Sequence, residues 1–292
     1  MTVWFFVAAA VITSGLSGPL YKVVSDHAAG KRATVLAPLL WFLPLAAVFG
    51  IMASVRDEWQ ELSLVLPPAL LAGGAAAMCA VALLFSMRRS SYAFAIILVN
   101  CSFLFPILLS CLLLREQTGW WQLLGIVIAV AAVVVLYAAP SEEKTPLLTV
   151  LITLAASLGN GLIDFAIKWQ QYRTPGAAEN PFFCVCYLFA SLLCGAAALL
   201  FRNSGKKEEP RPQSRFIFSA LGIGACNGLC FYCISRSASA MNAAAQFVLI
   251  TALSIVLSLA IGCFRFRTRL GRREWLGLLA CTAAIVFQFL NL

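Results

Sequence analysis

The chain has 292 residues, 62% of them hydrophobic and only 11% charged, with a mean hydropathy of +0.91. A soluble domain uses roughly 45–50% apolar and 25% charged residues, so a water-soluble globular fold is excluded and an all-α integral membrane protein is indicated. The formal charge of +9 would suggest nucleic acid in a soluble chain, but here it is a topology signal, and nucleic acid is not an expected partner.

Ten apolar runs follow one another: 3 to 23, 33 to 54, 64 to 87, 91 to 114, 118 to 138, 146 to 169, 181 to 201, 215 to 235, 240 to 263 and 274 to 291. Each approaches the ~20 residues that carry a helix across ~30 Å of hydrocarbon. None alternates in the ~10-residue segments of a β-barrel. No basic residue precedes the first run, which is expected to stay as a helix rather than be cleaved as a signal peptide. The stretch from Arg202 to Arg215, with Gly205, Pro210 and Pro212 among charges, reads as a solvated linker.

With Lys22 and Lys168 set aside as helix-end cases, fifteen basic residues fall in the odd-numbered connections. Only four, Arg56, Arg115, Arg173 and Arg236, fall in the even-numbered ones. The positive-inside rule then makes the odd connections cytoplasmic, with both termini outside, in a multi-pass protein of the cell (plasma or inner) membrane. The eleven cysteines all lie in apolar runs, where free Cys packs as a small hydrophobe. Cys226, Cys230 and Cys233 share a helical face, but no His, Asp or Glu ligand accompanies them, so no metal is expected. Glycine phosphate loops, nucleophile elbows and paired His ligands are missing, so neither enzyme activity nor a cofactor is expected.

Candidate site residues are taken in chain order. The first span holds Ser14, Gly15, Ser17, Gly18 and Pro19, which suit either a close packing seam or contact with a ligand. Tyr21 and Lys22 are expected to end that helix, with Lys22 reaching the headgroups. Trp41, in the second span, could wall an aromatic cage or pack against neighbouring helices. Asn100, in the fourth, needs a partner in mid-membrane, either a helix or a substrate. The sixth span carries the sharpest signal, Asn160, Asp164 and Lys168. Steps of four residues drift only about 40° each, so these three share one face over roughly 12 Å. An ionisable group there costs about 2.5–3.5 kcal/mol facing lipid, so the face should look onto protein or a wet cavity. Asp164 precedes Lys168 by four residues, the favourable order for an ion pair that could serve either the cavity or the helix end. Tyr187, Asn227, Tyr232, Asn242 and Gln246 add further polar groups, and together these residues suit a small zwitterion or polar metabolite.

The second half repeats the first. Gly15, Leu16 and Lys22 fall on Gly161, Leu162 and Lys168; Arg88, Ser91 and Ala95 on Arg236, Ser239 and Ala243; Arg115, Leu124 and Gly125 on Arg267, Leu276 and Gly277. Residues 1–140 and 141–292 are therefore expected to be two five-helix repeats of a single transport domain. Five is odd, so the second copy is inverted, an arrangement that commonly places a midplane site between two rocking bundles.

The run Leu112-Leu-Leu-Arg-Glu116, followed by Trp121-Gln-Leu-Leu-Gly125-Ile-Val-Ile-Ala, resembles the junction of the fourth and fifth spans in EamA-type members of the drug/metabolite transporter superfamily. The ten-span, five-plus-five layout resembles that family over the whole length. The second half departs from it, with Thr268 in place of Glu116. The resemblance implies a secondary transporter whose cavity is lined by spans one to four and six to nine. The expected activity is alternating-access, proton-linked transport of a small polar metabolite, with amino acids or related compounds first. An organic cation, choline-like amine or drug carrier is the alternative, and a scaffold or lipid-handling protein without an aqueous pathway is another. Expected partners are the substrate, the lipid bilayer and protons. The oligomeric state is open, a monomer included.

Overall fold

The computed structural model describes residues 2–115 except 29, residues 146–200, and residues 214–266 except 239 and 242, with scattered positions in 119–131 and 271–286. Among these, eight helices are long and apolar enough to cross a membrane, which makes this an all-α, multi-pass membrane protein. They are α1 (Thr2–His27), α2 (Lys31–Leu36) continued by α3 (Leu39–Val55), α4 (Leu62–Met87), α5 (Tyr92–Asn100) continued by α6 (Leu104–Leu113), α7 (Leu147–Arg173), α8 (Glu179–Leu200), α9 (Ser214–Ala238) and α10 (Ala243–Phe266). The fifth and tenth apolar runs lie largely outside the described residues, although Trp120, Trp121, Trp275 and Leu276 within or beside them are helical. The residues that carry the family resemblance, Glu116, Gly125, Thr268 and Gly277, lie outside them as well, as do Asn242 and the 202–213 linker.

Two antiparallel helix pairs form the centre. α1 runs along α9, with Gly222 opposite Leu20 and the Cys230 thiol 3.5 Å from the Ala10 carbonyl. α4 runs along α7, with the Ser86 and Thr153 hydroxyls in contact and Gly159 against the Ala75 carbonyl. α3 and α8 pack beside these pairs on one side, and α5, α6 and α10 close the other. Leu, Val and Phe side chains such as Phe5, Val55, Leu112, Leu192 and Phe264 stay exposed on the outside. That is the surface a bilayer covers, since lipid is as apolar as they are.

Proline sets the irregularities. Pro106 has no N–H and its ring clashes with the carbonyl four residues back, that of Ser102. The fourth span accordingly breaks into a 3-10 turn at Cys101–Phe103 between α5 and α6. Pro68 releases the Leu64 carbonyl in the same way, and Arg173 takes it up with a hydrogen bond of 3.1 Å. A carbonyl freed by proline inside a membrane helix is commonly taken up by a neighbouring group in this way.

The ends of the central pairs are tied by lysine. At one end Lys22 of α1 donates to the Met87 carbonyl that closes α4 (3.1 Å) and pairs with Asp26 at 2.8 Å. At the other end Lys168 of α7 donates to Ala238 (3.0 Å) and Met241 (2.8 Å) where α9 closes. Because α1 and α9 are antiparallel, the two ties lie at opposite ends of the bundle. This corrects two expectations. α1 runs on to His27, so Tyr21 is inside the helix, and Lys22 reaches a carbonyl rather than headgroups. Lys168 does not pair with Asp164: the last-turn carbonyls of α9 have no intrahelical donors, and a cation satisfies them better. Lys168→Met should therefore destabilise the protein by about 1–3 kcal/mol, seen as a lower thermal unfolding midpoint in detergent. A loss of ligand affinity at unchanged midpoint would instead return Lys168 to the site.

Candidate functional site: a polar cavity among the central helices

A cavity of about 100 Å³ lies where α1, α4, α5, α7, α9 and α10 meet. Its α1 wall is Ser14, Ser17, Gly18 and Tyr21, the i, i+3, i+4, i+7 stripe of one helix face. Asn160, Ile163 and Asp164 project from α7, Asn227, Phe231 and Ile234 from α9, and Asn100 from the end of α5. α10 contributes Phe247, Thr251, Ser254 and Ser258, again one face. Phe42 of α3 and Cys79 of α4 complete the principal lining.

The backbone explains how these groups meet. Asn160 sits between Gly159 and Gly161. A Cβ at Gly161 would come 2.6 Å from the Ser102 carbonyl oxygen and 2.7 Å from Phe105 Cβ, and one at Gly159 would come 2.7 Å from the Ala75 carbonyl oxygen. Only glycine admits that approach, and the result is a 2.8 Å hydrogen bond from Asn160 Nδ2 to Ser102 Oγ. The turn opened by Pro106 and Gly161 of α7 are thus two halves of one contact, while Gly159 brings α7 equally close to α4. Asn100 donates back to the Ile96 carbonyl (2.8 Å), and Asn227 donates to the Tyr21 hydroxyl (2.8 Å).

Asp164 is buried, at 5% exposure, and makes no hydrogen bond or ion pair among the described residues. None of the described cations lines the cavity. Lys22 and Lys168 tie helix ends, and Arg236, read from sequence as a topology anchor, pairs with the buried Glu179 at 3.1 Å. Arg236 also lies over the Tyr232 ring and accepts no place in the cavity; Gln171 donates to the other Glu179 oxygen at 3.1 Å.

Of the residues singled out in the sequence, Ser14, Ser17, Gly18, Asn100, Asn160, Asp164 and Asn227 line the cavity. Lys168, Trp41, Gln246 and Tyr187 do not. Lys168 has rotated about 80° from Asn160 along the helix and caps α9. Trp41 is fully buried, its Cβ filling the notch that Gly224 leaves, so its neighbour Phe42 faces the cavity instead. Gln246 caps α9, donating to the Ile234 carbonyl (2.6 Å) and Ser237 (2.7 Å), and Phe247 faces inward in its place. Tyr187 is stacked among Phe42, Phe49 and Phe183, with centroids 5.9, 5.9 and 6.2 Å away. Its buried hydroxyl has no partner among the described residues. Tyr187→Phe removes that unsatisfied group and should leave the thermal midpoint unchanged or raise it, because the desolvation of the hydroxyl is uncompensated. A clear fall in the midpoint would show that the hydroxyl is bonded.

The polar stripe Thr251, Ser254, Ser258 and the aromatic Tyr21, Phe42, Phe231 and Phe247 are the lining groups that sequence reading missed. The stripe had a signal, helical spacing of hydroxyls in an apolar run; the single phenylalanines had none.

Neither a protein-family model nor a curated protein matches the chain. A solved structure titled "Crystal structure of protein" is similar over 99% of this chain and 97% of its own, at 14% identity and a TM-score of 0.66. That likeness concerns the fold.

Proposed function

We propose that this protein is a secondary transporter that moves a small polar solute across the membrane by alternating access, linked to protons. The observation that carries the reading is Asp164, a carboxyl held in a polar cavity inside a membrane protein with no cation beside it among the described residues. An ionisable group so placed is costly to keep and serves a solute or proton path in most membrane proteins that have one. A carboxyl without a fixed counter-charge can exchange a proton for a solute, which couples the two.

The architecture supports the same reading. The central contacts pair the first span with the eighth and the third with the sixth, a set that is unchanged when the halves are exchanged. Lys22 and Lys168, matched by the sequence repeat, tie opposite ends of the bundle in equivalent ways. At those same ends Arg88 donates to Thr34 (3.0 Å), where its repeat mate Arg236 pairs with Glu179 (3.1 Å). This is what two inverted copies of one five-helix unit, ten spans in all, would give, and such copies commonly rock about a central site. The resemblance to EamA-type carriers fits the same picture, with the odd-numbered connections cytoplasmic.

The test is access from both faces. In a protein whose eleven cysteines are replaced, Ser17→Cys and Ser254→Cys should each react with a membrane-impermeant thiol reagent added to either side of oriented vesicles. A thiol that reacts from one side only, or from neither, would leave a scaffold or lipid-handling role in place of a carrier.

A further inference from the structure

The cavity is unbalanced in charge, since its lining holds the Asp164 carboxyl and, among the described residues, no cation. Asn100, Asn160 and Asn227 each direct a side-chain N–H to a protein oxygen at 2.8 Å, and Ser17 donates to the Ser14 carbonyl at 2.8 Å. The amide oxygens of the three asparagines and both oxygens of Asp164 receive no hydrogen bond within the described residues. Among those residues no Lys, Arg or His lines the cavity. What the walls lack is a positively charged donor.

The apolar part of the lining selects among donors. Tyr21, Phe42, Phe231 and Phe247 bring four aromatic rings to the same cavity as the carboxyl. A ring face attracts an alkylammonium by its quadrupole, the more so away from water. A carboxylate accepting from an ammonium makes a charge-assisted bond roughly twice as strong as a neutral one. A metal ion would want several oxygens around one point and gains little from four rings. A solute carrying a carboxylate would set a second negative charge beside Asp164 with no lining cation to offset it. The size is restrictive as well. A cavity of roughly 150 Å³ takes a benzene ring, so about 100 Å³ suits a ligand of only a few heavy atoms.

We infer that the cavity binds a small organic ammonium ion, its N–H groups donating to Asp164 and to the asparagine oxygens, its carbon chain lying against Tyr21, Phe42, Phe231 and Phe247. This narrows the transport reading to one substrate class and rests on that reading only in taking the cavity as a ligand site.

The probe is 2-aminoethanol, protonated at neutral pH, titrated into the purified full chain while the thermal midpoint is followed. Ethylene glycol, glycolate and glycine serve as neutral, anionic and zwitterionic counterparts, and potassium and calcium chloride as inorganic cations. A saturable rise with 2-aminoethanol alone is expected, with affinity at least tenfold weaker in Asp164→Asn and several-fold weaker in Phe247→Leu, which keeps the charge. An equal rise with glycol, glycolate or glycine, a rise with either salt alone, or no rise with 2-aminoethanol overturns the ammonium assignment. So does undiminished affinity in a folded Asp164→Asn protein. Flux into liposomes is measured separately. Asp164-dependent binding without flux overturns transport and keeps the ligand class, whereas flux of glycine without ammonium binding does the reverse.

Discussion

Replacing Asp164 with Asn is expected to abolish solute-coupled proton flux in proteoliposomes while the protein inserts and folds as before. The amide cannot take up or release the exchanged proton, and the lost hydrogen bond to a charged group, about 1.5–3 kcal/mol, weakens solute binding by about 10- to 100-fold besides. The preserved fold follows from what Asp164 does not do. It makes no hydrogen bond or ion pair among the described residues, so its loss frees no partner and breaks no tie. A buried carboxyl without a partner is itself unfavourable, and an amide of the same shape is cheaper to desolvate. The thermal midpoint of the variant should thus equal or exceed that of the parent. Unchanged coupled flux would remove Asp164 from the mechanism; a large drop in midpoint would show that it holds the helices together.

The second large effect is structural. Gly161→Ala is expected to cost about 1–3 kcal/mol, the usual range for overpacking, and Gly161→Leu to abolish a folded product. The added atom would meet the Ser102 carbonyl oxygen at 2.6 Å and Phe105 Cβ at 2.7 Å. Neither can swing aside as a flexible side-chain end would, so α7 must retreat from the break between α5 and α6. That retreat would stretch the bond from Asn160 to Ser102 and widen the cavity. Gly195 is the control, since nothing lies within 4 Å of a Cβ placed there. Gly195→Ala should be neutral or gain about 0.5–1 kcal/mol from better helix propensity. Size-exclusion yield and thermal unfolding read both. Equal tolerance of the two substitutions would contradict the close packing of α7 on the fourth span.

The spans were legible because bilayer thickness fixes their length and lipid fixes their composition. Asn160 and Asp164 were legible for a related reason, that polar groups in such a run must turn inward. The extent of the stripe was less so. Lys168 continues the same row of residues, yet the drift of the helix and the open carbonyls at Ala238 and Met241 draw it to a helix end. Reading Tyr21 as a helix terminus hid its place on the Ser14, Ser17, Gly18 face. Trp41 and Tyr187 look more like ligand cages than Phe42 does, but large aromatics fill whatever notch faces them, and Gly224 made the notch for Trp41.

From the residues alone came a membrane-spanning, all-helical protein, its apolar spans, and an acid and five amides, Asn100, Asn160, Asn227, Asn242 and Gln246, that could not face lipid. These follow from length, hydropathy and helical period, which are local quantities. Which of them share a cavity, that the lysines hold carbonyls at opposite ends, and that rings rather than cations line the cavity with Asp164 were decided by contacts between helices distant in sequence. Such contacts depend on how glycine notches, freed carbonyls and bulky side chains fit one another, and no single helix carries that information.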